Sequence, residues 1–383
     1  MPGLSRPVKP ILAGSQPASR LSERQAMVLR ALVTAYVRQA GPVASGTLSH
    51  LMPTPLSSAS IRNTLAELHE EGLIDKAHAS AGRIPTPLGM GVFIDHLLDL
   101  ADLAPYQQRV LDRALAGVAA AEMPRHTSQL LSQTTRMLGF VMAPRVEYLR
   151  MHSVHLVAVG AQRVLAVLVT ENGSVIQRVF DHSERLSTRE LERVGALLAQ
   201  RVAGKTLADL RRALEDEREQ LRGEADQWMR RVWSLGLRAC DCEAGDDLVV
   251  ATRTTLLDQP EFSDPERIRG LFAALETNQK LLALSKKIAQ TDTGEAQVGL
   301  SMSIGQELGE PSLRDCALVA VPYGCLPITD RDPLLSPTGP VETPTEDCSL
   351  GVLGVIGPQR MDYGRVIPLV SYCADLVTRK LLA

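Results

Sequence analysis

Between Leu21 and Thr86 the sequence admits few folds, because three amphipathic helical stretches follow one another closely and lead straight into a short hairpin. Ser22 with Gln25 three residues on forms a capping box, and Leu29, Leu32, Val33, Tyr36 and Val37 recur at helical spacing until Gly41 and Pro42 end the pattern. A second, short helix is predicted from Ser45 to Leu51, stopping before Pro53 and Pro55. The third begins at Ser57–Ser58, carries Ile61, Leu65 and Leu68 on one face, and ends at Gly72, a natural left-handed cap. Leu73-Ile74-Asp75-Lys76 then reads as a strand and Ala79-Ser80-Ala81-Gly82 as a tight turn. Arg83-Ile84-Pro85 is the return strand, with Pro85 confining it to an edge. Thr86-Pro87 opens a fourth helix with Phe93, Ile94, Leu97 and Leu98 as its apolar stripe.

Three helices and a hairpin in this order make a winged helix-turn-helix, in which the third helix enters the DNA major groove. At about 100° per residue, Ile61, Leu65 and Leu68 cluster on one side, and Asn63, Ala59, Ala66 and Glu70 point the other way, flanked by Arg62 and Ser60. The outward face is polarised: small and hydrogen-bonding residues at its start, and Glu67, Glu70 and Glu71 at its end. Such a helix presents its positive dipole end to the groove and keeps its acidic end away from phosphate. Arg pairs with guanine and Asn with adenine by two hydrogen bonds each. A polar helix face taken alone is most often merely solvated. The adjoining hairpin changes that reading, since Arg83 sits just past the turn and Lys76 and His78 lie on the other arm, where cations reach phosphate or the minor groove. The candidate DNA-facing residues are therefore Ser58, Ser60, Arg62, Asn63, Lys76, His78, Ser80 and Arg83.

Charge does not betray this role in bulk. The 383 residues carry a net −3. The first twenty hold three positive charges (Arg6, Lys9, Arg20), and residues 21–96 hold six basic and six acidic side chains. Any nucleic-acid contact must rest on a few placed groups. At 45% apolar and 22% charged the composition is that of a globular protein, and no apolar run approaches the 18 or so residues of a membrane span. No membrane partner is expected. Six cysteines without a C-x-x-C pair, and an N-terminus without a signal-peptide core, fit a reduced cytoplasm.

The first twenty residues, rich in Pro, Ser and Gly, read as a disordered tail. Beyond about residue 103 the pattern becomes mixed α/β. Helical stretches at roughly 105–121 and 126–138 precede strands near 153–159, 163–170 and 174–180, the last two joined by Glu171-Asn172-Gly173, a hairpin signal. Ser187 and Glu190 open a helix to Gly204, residues 206–235 are highly charged and helical, and 264–290 are helical. Strands return at 297–304, 316–322 and 350–356, and a helix closes the chain. Charged helices between two sets of strands suggest an insertion into one α/β domain. The expected division is a tail (1–20), a winged helix (21–102), an α/β domain in two parts (103–205 and 263–383) and an insertion (206–262).

Enzyme signals are poor: no G-x-x-x-x-G-K-[ST], H-E-x-x-H, G-x-S-x-G or G-x-G-x-x-G is present. His152-x-x-His155 and Cys240-x-Cys242 are weak spacings for a metal or redox pair, and no cofactor is expected. Trp228 and Trp233 suggest a buried or partner-facing seam.

Several runs taken together resemble the HrcA family of bacterial heat-inducible repressors: LSERQ (21–25), GPVAS (41–45), SSASIRN (57–63), EEGLI (70–74), SAGRIPT (80–86), FIDHLL (93–98), LLDQPEF (256–262) and GVLGVIGPQRMDYGRVIPLV (351–370). The chain departs from that pattern at Ala44, where glycine is usual, at Ala77, where proline opens the wing motif, and at Leu308, where asparagine is usual. The resemblance implies an α+β multidomain fold: an N-terminal winged helix-turn-helix and a GAF-like α/β domain carrying an inserted dimerisation domain. It implies a homodimer that binds double-stranded DNA at an inverted-repeat operator, the CIRCE element, and whose activity the GroE chaperonin maintains. Two other readings stay open, a metabolite-responsive repressor of the same architecture and an enzyme with an appended DNA-binding domain.

Overall fold

The computed structural model describes residues 11–12, 21–52, 56–77, 82–160, 162–182, 187–220, 227–240, 248–251, 259–262, 269, 300–308, 313–324 and 350–382. Its first element departs from the expectation of an unordered tail. Ile11–Leu12 forms a short strand, β1, paired in parallel with Ser301–Met302. These two apolar residues supply backbone partners to what is otherwise an open sheet edge.

The helix–hairpin order follows the sequence. Helices α1 (Glu23–Gln39), α2 (Ser45–Leu51) and α3 (Ser58–Glu70) precede strands β2 (Ile74–Lys76) and β3 (Arg83–Pro85). The Ser22–Gln25 capping box opens α1, and Gly72, at φ 72°, turns the chain out of α3. Val28, Leu29, Leu32, Leu48, Ile61, Leu65, Leu68 and Ile74 are buried between these elements. Val43 adds a further rung by exchanging both backbone hydrogen bonds with Arg83, at 2.9 and 2.8 Å. Gly82 is required there, because a Cβ on it would lie 2.3 Å from the Val43 carbonyl oxygen. Thr86 caps α4 (Pro87–Val92), which runs on as a π-helical turn over Phe93–Leu97.

After α5 (Pro105–Ala114) and α6 (Met123–Thr135), strand β4 (Leu138–Met142) enters a six-stranded sheet of order β1-β9-β10-β11-β4-β8. The partners are β8 (Leu248–Val250), β9 (Ser301–Ile304), β10 (Cys316–Tyr323) and β11 (Gly351–Pro358), antiparallel to their neighbours except at the β1–β9 edge. Both faces are covered: β10 and β11 are buried along their whole length. One face packs on α6 and the closing helix α10 (Tyr363–Leu381), and the other on Phe262, Leu308 and Leu313.

The strands predicted near 153–180 form a second sheet of their own. Strands β5 (Met151–Ala158), β6 (Arg163–Thr170) and β7 (Val175–Asp181) make an antiparallel meander, with the predicted turn at Gly173 (φ 80°). Its inner face, with Val154, Val164, Ala166 and Leu168, packs on α7 (Thr188–Val202), and the helical stretch predicted over 206–235 is two helices, α8 (Leu207–Gln220) and α9 (Gln227–Cys240). Because β4 pairs directly with β8, the chain leaves the six-stranded sheet after Met142 and rejoins it at Leu248, so the excursion starts well before residue 206. The helix predicted over 264–290 lies outside the described residues, apart from Arg269.

Candidate nucleic-acid interface

Helix α3 sorts its side chains as the helical period requires. Ile61, Thr64, Leu65 and Leu68 are buried, whereas Ser58, Ala59, Arg62, Asn63, Ala66 and Glu70 are exposed and Ser60 is half-buried. Ser57 caps the helix, its hydroxyl accepting from the Ser60 amide at 3.1 Å. Arg62 donates through Nε to the Ser58 carbonyl at 3.2 Å, which leaves its terminal nitrogens turned outward at the start of the helix.

The acidic end is occupied internally. Glu67 meets Arg24 of α1 at 3.5 Å, Glu71 accepts from Gln25 at 2.8 Å, and His69 Nδ1 lies 2.9 Å from the Ile74 carbonyl. These contacts tie the C-terminal half of α3 to α1 and β2, while Ser58, Arg62 and Asn63 stay exposed at its start.

In the hairpin, Lys76 and Arg83 stand directly opposite each other across the ladder. Like charges in this register repel. The pair sits at the distal end of the described strands, with Lys76 exposed and Arg83 half-buried. His78 and Ser80 lie outside the described residues. Ala44 accepts its position without strain, having φ −76° and ψ 147° as the residue before α2.

The candidates for other chemistry do not converge. His152 and His155 are exposed on β5, and among the described residues no group of three or more His, Cys, Asp or Glu could hold a metal ion. Cys240, Cys316 and Cys373 are buried, and Cys242 lies outside the described residues. Burial pushes the Cys316 and Cys373 thiols up to about 12, Cys316 with a smaller push from Asp315, so neither is a thiolate at neutral pH. Trp233 is buried beneath the Arg201 guanidinium, which sits 4.5 Å from its ring centroid and binds Glu217 at 3.2 Å. Trp228 is half-buried under Arg193, so the two tryptophans belong to the packing of α7, α8 and α9.

Two features escaped the sequence reading. One is the outer face of the three-stranded sheet, where Leu165, Val167 and Val169 of β6 are flanked by Val157, Val175 and Val179, themselves 50, 54 and 46% exposed. The unbroken apolar run of β6 carried that signal, since a strand with one wet face alternates. The other is the meeting of Gln259–Phe262 with Gln359–Gly364, runs that showed a resemblance but no chemistry.

The model of the HrcA protein C-terminal domain matches residues 122–367. Among relatives, the heat-inducible transcription repressor HrcA of Xanthomonas axonopodis pv. citri is 36% identical over 358 residues, spanning 93% of this chain and 95% of that protein. Those of Sorangium cellulosum and Shouchella clausii are 35% identical over 94% of this chain (97% of that protein) and 32% identical over 94% (98% of that protein). A crystal structure described as that of a hypothetical protein shares the fold, with a TM-score of 0.53 and 21% identity over 94% of this chain and 97% of that one. The chain therefore belongs to the HrcA family of heat-inducible transcription repressors, a family of regulators and not of enzymes.

Proposed function

We propose that the chain represses chaperone operons by reading an inverted-repeat operator, the CIRCE element, as a homodimer in the cytoplasm, with Arg62 and Asn63 reading bases and Lys76 and Arg83 holding phosphate. The observation that carries this reading is the polarity of α3, whose exposed face holds Ser58, Arg62 and Asn63 at its start while Glu67 and Glu71 at its end are engaged by Arg24 and Gln25 of α1. Two cations opposite each other on one ladder add support, because their repulsion is relieved when a phosphate lies between them. Residues 21–102 act as the winged helix, with Ser58 and Ser60 close to the backbone and His78 and Ser80 completing the wing. The six-stranded unit is the GAF-like domain, with no resident cofactor.

The inserted dimerising unit is the whole excursion 143–247, and the contact lies on its sheet. Helices α8 and α9 spend their apolar faces on each other and on α7, whereas the outer sheet face leaves Val157, Val175 and Val179 about half exposed among the described residues. A second copy laid on it related by a two-fold axis gives an inverted repeat its second reader.

Chaperonin sets the active fraction. A multidomain chain with this much apolar surface folds through aggregation-prone intermediates. Footprinting on the organism's own chaperone-operon promoters, with protein refolded with and without chaperonin and ATP, tests both points. Protection of an inverted repeat is expected, with chaperonin raising the bound fraction and not the affinity. No protection sinks the operator reading, and full activity after spontaneous refolding sinks the chaperonin role.

A further inference from the structure

Outside α3 and the hairpin, two distant parts of the chain meet in one half-buried ion pair, and a third lies within its electrostatic reach. Arg360, just before α10, engages Glu261 with both prongs of its guanidinium, Nε to Oε1 and Nη2 to Oε2, the latter at 2.9 Å. Nη2 also donates to the Gln259 side chain at 3.1 Å. The two charged side chains are 14 and 22% exposed, too enclosed to count as an ordinary surface pair. The loop that carries Arg360 is braced on both sides. Gln359 donates its backbone N–H to the Asp315 carbonyl at 3.0 Å and its side-chain amide to the Arg314 carbonyl, and its own carbonyl accepts the Tyr363 hydroxyl at 2.8 Å.

The third part is the helix–hairpin unit. Tyr36 of α1 is half-buried against the main core, with Glu261, Arg360, Asp315 and Tyr363 close enough to act on its hydroxyl. Burial and the excess of negative charge there keep it un-ionised. Leu98, where that unit ends, also reaches this place: a Cβ on Gly364 would sit 3.6 Å from its Cδ1. Arg30 of α1 meets Asp99 at 3.5 Å. The helix–hairpin unit therefore meets the core where Leu98 approaches Gly364, four residues past Arg360, and Tyr36 lies within electrostatic reach of the ion pair.

We propose that the Arg360–Glu261 pair is a positioning device which, with Tyr36 seated beside it, fixes the angle of each helix–hairpin unit to the core and so selects the half-site spacing that the dimer accepts. The inference rests on the inverted-repeat reading above. A half-buried ion pair contributes little net stability and is best suited to selecting one arrangement over its competitors. Two readers must hold a fixed separation, because half-sites repeat with the turn of the duplex. None of the three residues belongs to the exposed face of α3 or to the hairpin, so the device acts on where the readers point and not on what they read.

The test uses the full-length dimer with Arg360→Met, Glu261→Gln, and the swapped pair Arg360→Glu with Glu261→Arg. Affinity is measured for a single half-site and for inverted repeats whose spacer varies by about half a helical turn, or about five base pairs. Wild type should show one preferred spacing. The single variants should bind the half-site within about twofold of wild type, lose about tenfold on the preferred repeat and respond to spacing within about threefold, and the swap should restore the preference. Single variants that keep the wild-type spacing profile overturn the device. Small-angle scattering without DNA provides a readout independent of the operator: the variants should be more extended than wild type, and identical profiles overturn the proposal as well. A wild type that binds no inverted repeat sinks the operator reading, and scattering then decides the device alone.

Discussion

The helix–hairpin unit and the three-stranded sheet meet the same problem, a small element with more apolar side chains than one face can hide, and resolve it differently. In the first, α1, α2 and α3 bury Val28, Leu32, Leu48, Ile61 and Leu68 completely against one another, and of the large apolar side chains only Leu51 and Leu88 stay exposed, singly and on different helices, among the described residues. In the second, α7 covers one face of the meander and leaves Val157, Val175 and Val179 about half exposed on the other. A unit that completes its own core is free to present a polar surface to DNA. One that does not is incomplete as a single chain. On the proposed function, the difference separates the part that would read DNA from the part that would pair.

The sharpest way to break this comparison is to charge the open sheet. Replacing Val157 and Val179 together with Asp places a carboxylate on each side of Leu165 on the outer face, on β5 and β7, while the buried face stays intact. The protein should sediment as a folded monomer, and affinity for a whole operator should fall by about 10²–10⁴, because the second half-site contact is no longer intramolecular. A persisting dimer would place the interface elsewhere.

A smaller effect is expected at α3. Arg62→Ala or Asn63→Ala should weaken operator binding by about 1–3 kcal/mol and leave random-sequence affinity nearly unchanged, as base readout requires. Equal losses on both DNAs, measured by titration at one fixed salt concentration, would reduce these residues to solvated positions. At the hairpin the pattern should invert. Arg83→Ala should lower affinity on most sequences and reduce the slope of log affinity against log salt by about one. An unchanged slope would remove the hairpin from the interface.

The same contrast explains what the sequence disclosed. The α1–α3 order, both capping boxes, the Gly72 cap and the Gly173 turn depend on residues three or four apart, and each is where local chemistry put it. The exposed set on α3 follows from helical period alone. Sheet membership does not: β4 pairs with β8 across more than a hundred intervening residues, and no local pattern distinguishes that from pairing with β5. That pairing places the departure from the six-stranded sheet after Met142, whereas the charge pattern pointed to an insertion over 206–262. Nor does a strand's own pattern reveal that Arg360 meets Glu261, because that contact depends on the closed fold. Local periodicity located α3 and its exposed face, while long-range pairing determined the sheet that carries the rest of the chain.

The smallest effect concerns Ala44, where the family pattern has glycine. If glycine were needed there for an unusual backbone angle, alanine would strain the turn that brings Val43 onto Arg83, and with it the hairpin. The angle is ordinary, φ −76°. Two opposed terms then remain for Ala44→Gly. Glycine is the better residue ahead of a helix, where alanine offers no cap, and Ala44 makes no side-chain cap to α2. Against that, glycine adds unfolded-state freedom worth about 0.4–1 kcal/mol. These nearly cancel, so Ala44→Gly should shift stability by less than about 0.5 kcal/mol in denaturant titration and leave the Arg83-dependent salt slope as it was. A gain above about 1 kcal/mol, or a steeper slope, would reveal strain at this turn and tie the hairpin's DNA contact to it.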